Sequence, residues 1–291
     1  MSEQSERKTS EVLREQNFRF KKKWGQNFIF DQNLLQRLVR EAGIVSGDQV
    51  VEIGPGAGTL TRQLLNQGAC VLAVEIDAAL FPVLKELLPD ENFILVQGDA
   101  LKVKLDDLTQ AHGLSWPYKV VANLPYYIIT PLVMKLLEEE KQVEDIVVMM
   151  QKEVAERFMA APGTKEYGAI TLTVHYYAEA QILFPVSRQM FRPIPEVDSL
   201  VLRLKPRQEP PVTVRDQELL FKIIKAAFGQ RRKTLLNSLF AVQPGLEKES
   251  IRLILGKAGI DYQARGEILS LEQFARLTDL WVEALELQAK I

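Results

Sequence analysis

The sequence predicts an α/β protein: an open, Rossmann-like parallel sheet followed by a smaller all-helical C-terminal domain. Three observations carry this expectation. Short apolar runs alternate with amphipathic stretches from Gln49 to Ala160, the pattern of βα units in a parallel sheet. The first run ends in a glycine-rich turn, Gly54-Pro55-Gly56-Ala57-Gly58. Beyond a Pro- and charge-rich piece between Lys205 and Pro211, only helical periodicity remains.

Taken in order, residues 1–20 form a polar tail without periodicity and are expected to be mobile. Asp31 is a plausible N-cap for a helix carrying Leu34, Leu35, Leu38 and Val39 at helical spacing. Strands are expected over 49–53, 70–75, 93–96, 118–122 and 145–150. Helices are expected over 59–67, 78–88, 130–140 and 152–160. Ala161-Pro162-Gly163-Thr164-Lys165 reads as a loop. Ala169–Tyr177 and Ser199–Leu204 read as two late strands, an antiparallel edge hairpin or an insertion. The catalytic domain is thus expected over 21–206. A helical domain over 207–291 would follow, with helices at 216–228, 231–240, 247–258 and 271–287.

Composition narrows the function classes. At 291 residues with 47% hydrophobic residues, the chain can bury a sizeable core and is not disordered. One cysteine, Cys70, excludes a disulfide scaffold, and with only His112 and His175 no metal centre is expected. No apolar run approaches a membrane span and no signal peptide is apparent, so a cytoplasmic protein without membrane contact is expected. The formal charge of −2 argues against a uniformly basic nucleic-acid binder. Its distribution is uneven, however. Residues 203–233 carry nine Lys/Arg against three acids, and residues 1–27 carry seven against four, with Lys21-Lys22-Lys23 together. Such segments are either solvated faces or phosphate contacts.

The chemistry lies at four successive strand ends. A strand running into Gly54-Pro55-Gly56 and then a helix lets a ligand approach the backbone beside a helix N-terminus. The spacing is G-x-G-x-G, not the dinucleotide G-x-G-x-x-G. The next strand ends at Glu75, placed to accept both hydroxyls of a ribose. The third leads to Asp99, which can accept an adenine amino group or cap a helix. The fourth closes on Asn123-Leu124-Pro125-Tyr126. The exocyclic nitrogen of adenine is a poor nucleophile because its lone pair is delocalised into the ring. The Asn123 side-chain oxygen and the Leu124 carbonyl could each accept one N–H and favour a pyramidal nitrogen. Pro125 fixes φ and removes a competing donor, and Tyr126 can stack on a base. Alone, the tetrapeptide reads better as a strand-ending turn with a core Tyr. The four ends together fit a nucleoside-bearing methyl donor with an acceptor base facing it.

The chain resembles the small-subunit ribosomal RNA adenine N6,N6-dimethyltransferases (the KsgA, or RsmA, family) from Lys21 to its end. The likeness rests on Lys21-Lys22-Lys23-Trp24-Gly25-Gln26-Asn27-Phe28, Val51-Glu52-Ile53-Gly54-Pro55-Gly56, Asn123-Leu124-Pro125-Tyr126 and Gln151-Lys152-Glu153-Val154. It continues through Phe191-Arg192-Pro193-Ile194-Pro195-Glu196-Val197-Asp198-Ser199 and Ala227-Phe228-Gly229-Gln230-Arg231-Arg232-Lys233-Thr234. Trp24 and Ile29 stand where the family more often has Phe and Leu.

The resemblance implies a class I methyltransferase sheet and S-adenosylmethionine as methyl donor, with no metal. It implies that Gly54 and Gly56 close on the donor's methionine part, Glu75 on its ribose and Asp99 on its adenine. Asn27 and Ile29 would close over it, and Asn123 would contribute to the same site. Tyr126 and Phe191 would sandwich the target base once it leaves its stack. Arg231, Arg232 and Lys233, expected at a helix start, would contact RNA phosphates. The implied partners are small-subunit rRNA and the pre-30S particle; nothing in the sequence suggests an obligate oligomer, and a monomer is expected. Two other readings share most of these features: a large-subunit rRNA adenine methyltransferase of the antibiotic-resistance type, and an assembly factor acting mainly by binding. A DNA adenine methyltransferase would more often carry Pro where Leu124 stands, and a nicotinamide-dependent oxidoreductase fails on the glycine spacing.

Overall fold

The computed structural model describes residues 9, 11–16, 27–124, 126–230, 233–240, 242 and 246–288; of Tyr126 it describes the backbone alone. The chain divides into two compact units, residues 1–155 with 179–206, and residues 156–178 with 207–291.

The first unit is built on a seven-stranded sheet of order β4-β3-β2-β5-β6-β9-β7. Its strands are β2 (Gln49–Ile53), β3 (Cys70–Glu75), β4 (Phe93–Gln97), β5 (Tyr118–Asn123), β6 (Val143–Gln151), β7 (Ala178–Val186) and β9 (Ser199–Pro206). The first five of these run parallel, and β9 pairs antiparallel with β6. Val50, Val51, Val120, Val121 and Ala122 are fully buried, as expected of strands covered on both faces. Strand order reverses at β2, which pairs with β3 on one side and β5 on the other. A crevice opens at the carboxyl ends of strands where order reverses in this way, and ligands bind there. A second, two-stranded sheet joins β1 (Phe28–Ile29) to β8 (Phe191–Arg192), with Ile29 opposite Phe191.

Several helices form for local reasons. Asp31 caps Gln32–Glu41 by accepting from Leu34 N–H at 2.8 Å, and Leu35, Leu38 and Val39 face the core. Helix Leu105–Ala111 was not expected, because Lys104 at its N-cap offers no side-chain acceptor. Its first N–H groups are satisfied from a distance: Glu140 accepts from Leu105 and Asp106, both at 2.9 Å. Glu140 is ion-paired with Lys135, and Asp106 accepts from the Tyr118 hydroxyl at 2.9 Å and from Lys141 N–H at 2.7 Å.

Three expectations need correction. Within the supposedly mobile residues 1–20, residues 11–15 are helical. Val12 and Leu13 are buried in one apolar cluster with Phe28, Leu80, Leu84 and Leu87, which stabilises a segment whose sequence shows no periodicity of its own. Second, Ala169–Tyr177 is a helix, not a strand. Its β-branched residues suggested a strand, but Leu172 and Tyr176 bury in the helical unit's core. Thr171 donates its hydroxyl to the Arg157 carbonyl (2.6 Å), and Thr173 donates back to Ala169 (2.9 Å). The late strand is instead Ala178–Val186, at the sheet edge, where Pro185 needs no ladder partner for its nitrogen. Third, residues 156–178 group with the helical unit rather than with a continuous 21–206 domain. Gly163 N–H bonds the Glu267 carbonyl at 2.7 Å, Tyr167 donates to Leu269 at 2.8 Å, and Arg207 N–H bonds Tyr177 at 2.8 Å.

The second unit packs Gln217–Gly229, Leu235–Leu239, Lys248–Ala258 and Leu271–Gln288 around Leu220, Ile223, Leu255, Phe274 and Trp281. Asp216 caps the first of these, accepting from Leu219 N–H at 2.9 Å. The helix expected over 231–240 is shorter, Leu235–Leu239 with Thr234 at its N-cap, so Lys233 lies before its start, while Arg231 and Arg232 lie outside the described residues.

Candidate active site

The crevice at the order reversal is an open cleft enclosing about 980 Å³, its solvent-facing mouth included. Among the residues lining it are Asn27, Ile29, Gly54, Gly56, Glu75, Asp99, Asn123 and Leu124, all named from the sequence.

Its floor is the turn after β2. Gly56 has φ +58°, and a Cβ there would lie 2.5 Å from the Phe28 ring. Only glycine combines that left-handed backbone with so close a ring. Gly54 (φ +69°) has open space where a Cβ would point, so backbone conformation alone demands glycine there. The bared backbone is what a ligand's polar end can approach.

Glu75, at the end of β3, first ties the turns together. One carboxylate oxygen accepts from Gly56 N–H at 3.2 Å and the other from Asp77 N–H at 2.8 Å. Burial pushes its carboxyl up from the usual range, and these two backbone donors pull it back. Asp99 accepts from Leu101 N–H at 3.1 Å, so the turn-capping role open to it in the sequence is real, yet it also faces the cleft. Asp77 likewise caps its own turn, accepting from Ala79 N–H at 3.1 Å.

Asn123 is fixed by the N-terminal block: its Nδ2 donates to the Asn27 carbonyl at 3.0 Å. That bond sets the amide's orientation and leaves Oδ1 as the acceptor on the other side. Among the described residues, no group donates to the Leu124 carbonyl. Two acceptors in tandem at one strand end are the arrangement that an amino group with two N–H bonds requires.

The rest of the expected site is less complete. Pro125, Arg231, Arg232 and the Tyr126 side chain lie outside the described residues. Lys233 is exposed, its N–H bonded to the Gln230 carbonyl at 2.9 Å. Phe191 departs from expectation. It is 1% exposed and packs with Ile29, Leu35, Val39 and Phe184, because β8 pairs with β1 and turns the ring into the core. In this conformation it offers no face to a base.

Two cleft residues escaped the sequence reading. Glu52 in β2 is 1% exposed, and one of its carboxylate oxygens has no hydrogen-bond partner among the described residues. Burial, against the pull of Thr61 and with the nearby Glu75 adding, raises its carboxyl to about 8. A lone acid inside an apolar strand was the available signal. The other is Tyr127, which lines the cleft while 56% exposed. Among the described residues, no group of three or more His, Cys, Asp or Glu is placed to hold a metal ion, and no helix is long and apolar enough to cross a membrane.

A sequence profile of the ribosomal RNA adenine dimethylases matches residues 17–277. The chain belongs to that family. It is 48% identical over 273 residues to ribosomal RNA small subunit methyltransferase A of Clostridioides difficile, covering 94% of each chain. It is 46% identical over 274 residues to the protein of that name from Lactococcus lactis, covering 94% of this chain and 93% of the other. Among solved structures, a dimethyladenosine transferase from Plasmodium falciparum matches with a TM-score of 0.72 at 26% identity, over 87% of this chain and 97% of that one. The 23S rRNA methyltransferase ErmE matches with a TM-score of 0.64 at 27% identity, over 87% and 99%. The fold is that of the class I methyltransferases. The cleft suits the methyl donor of such a family member: a bared glycine turn, then acids at the next two strand ends, then paired acceptors.

Proposed function

We propose that this dimethylase-family enzyme transfers methyl groups from S-adenosylmethionine to the exocyclic N6 of adenosines in small-subunit rRNA, giving N6,N6-dimethyladenosine during ribosome biogenesis. The Asn123 amide carries the reading on the structural side, because its bond to the Asn27 carbonyl leaves Oδ1 as an acceptor in a cleft that Leu124 also lines. The small-subunit enzymes among its relatives support the choice of RNA.

When bound, S-adenosylmethionine supplies an electrophilic methyl group on a sulfonium. The chain's residues do the rest. Gly54 and Gly56 hold the methionine end against bare backbone, Glu75 accepts from the ribose hydroxyls, and Asp99 accepts from the donor's adenine amino group. Asn27 and Ile29 close the N-terminal side, and Asn123 borders both halves of the site. Asn123 Oδ1 and the Leu124 carbonyl orient the target nitrogen so that its lone pair points at the methyl group, and Tyr126 stacks on the base. Rate then comes from in-line placement. The nitrogen's proton becomes acidic as the bond forms and leaves to water, so no strong base is required.

The finer reading is that two adjacent adenosines near the 3′ end are modified on a pre-30S particle in the cytoplasm, by a monomer. Lys233 and its basic neighbours would contact phosphates. The similarity to ErmE favours one other substrate, large-subunit rRNA. Labelled S-adenosylmethionine offered to small subunits lacking adenine dimethylation, and separately to large-subunit rRNA, decides between them. Dimethyladenosine in the small subunit alone is expected; label in the large-subunit RNA alone would overturn the assignment.

A further inference from the structure

Tyr127 sits in the short 3-10 turn Tyr126–Ile128, directly after the transfer motif. It is a large ring left 56% exposed, and its hydroxyl has no hydrogen-bond partner among the described residues. Nothing about folding needs it there, since a ring with so much surface in water contributes little burial. Yet it lines the cleft, as do Glu75, Ile76, Asp99 and Ala100. Its phenol also feels Asp99 and Glu75: after burial, these two carboxylates are what hold its pKa above the ordinary tyrosine value. The hydroxyl therefore lies within electrostatic reach of the carboxylates proposed for the donor's nucleoside. The hydroxyl stays protonated at neutral pH and remains a donor.

We infer that Tyr127 is a donor-binding residue that covers the nucleoside half of the S-adenosylmethionine cleft, its ring against the adenosine and its hydroxyl toward the ribose edge at Glu75. The inference rests on the donor reading above and adds a residue to it. It also gives the cleft's open side an aromatic face that Phe191, buried in the core, does not provide. A ring lost from a nucleobase contact weakens binding by roughly 5- to 150-fold.

The test is calorimetric binding of S-adenosylhomocysteine, the demethylated donor, to the full chain and to Tyr127→Ala and Tyr127→Phe. The Ala variant is expected to bind about tenfold more weakly or worse. The Phe variant should recover most of that loss and fall short by roughly 2- to 10-fold, the worth of one hydrogen bond. Both variants should unfold at the wild-type temperature, since the ring is half in solvent, and their KM for RNA should stay put. A Kd unchanged in Tyr127→Ala would overturn the inference, and a raised RNA KM beside it would reassign the ring to the target base. A wild-type chain that binds neither donor nor product would overturn the donor reading itself, and Tyr127's role with it.

Discussion

The two ends of strand β5 hold two clusters of polar side chains that obey opposite rules. At its start, Tyr118 donates to Asp106, which also takes Lys141 N–H, while Glu140 takes two helix N–H groups and pairs with Lys135. Every carboxylate there has its partners, and the cluster fastens helix Leu105–Ala111. At the strand's other end, Asn123 spends an N–H on Asn27 and keeps its oxygen, Leu124 lines the cleft with no donor to its carbonyl among the described residues, and Glu52 buries an unpaired oxygen nearby. Buried polar groups in folded proteins are ordinarily satisfied, so unmade bonds concentrated at one end mark where a ligand is to make them. One end builds stability; the other holds stability in reserve for binding.

The sharpest way to break this contrast is at the satisfied end. Glu140→Ala strands the Lys135 ammonium and uncaps two N–H groups. It should cost about 3–5 kcal/mol of unfolding free energy, measured by urea denaturation, while the folded fraction binds S-adenosylhomocysteine as before. A loss below about 1 kcal/mol would show that the network is ornamental and the contrast false.

The mirror experiment is Asn123→Ala. It removes a group that acts on the transferring nitrogen, so turnover should fall by about 100- to 1,000-fold, the usual cost of one oriented polar group in a reacting site. Donor affinity should change by less than about threefold, and stability by about 1 kcal/mol for the lost bond to Asn27. Equal losses in turnover and donor binding would make Asn123 a donor ligand rather than an orienting group.

The same contrast explains what could be read in advance. The glycine turn, Glu75, Asp99 and Asn123 sit at successive strand ends, so chain order alone brings them to one crevice once the strands are recognised. Their signals are local: φ-permissive residues, a terminal acid, a strand-ending amide. The satisfied end was illegible because its logic is long-range. Helix Leu105–Ala111 is capped by Glu140, 35 residues away from its first N–H, and nothing near Lys104 announces it. Residues 169–177 failed for a related reason, since local β-propensity yielded to packing in the helical unit. Phe191 failed because β1 and β8 are two residues each, too short to show a period, and their pairing decides which way the ring turns. Glu52 was visible as an anomaly, an acid in an apolar strand, but its unpaired oxygen is a property of the packed state.

Glu52 also supplies the most discriminating prediction. Its carboxyl is raised from 4.5 to about 8 by burial, so the folded chain holds a proton that the unfolded chain releases. The sign follows from linkage: the contribution to stability is complete below pH 4.5, falls as pH rises toward 8, and is level beyond. Each unit in that window costs about 1.4 kcal/mol at the limit. Glu52→Gln has the same shape and nothing to ionise. The difference in unfolding free energy between variant and wild type should therefore grow in the variant's favour from pH 5 to pH 8 and then plateau. Other titrating groups cancel in that difference. A flat difference would mean that Glu52 ionises normally, as a satisfied carboxylate does, and would remove it from the under-bonded end of the sheet. A growing one would mean that the native chain tolerates a destabilising acid in its cleft, and would keep Glu52 at the under-bonded end of the sheet.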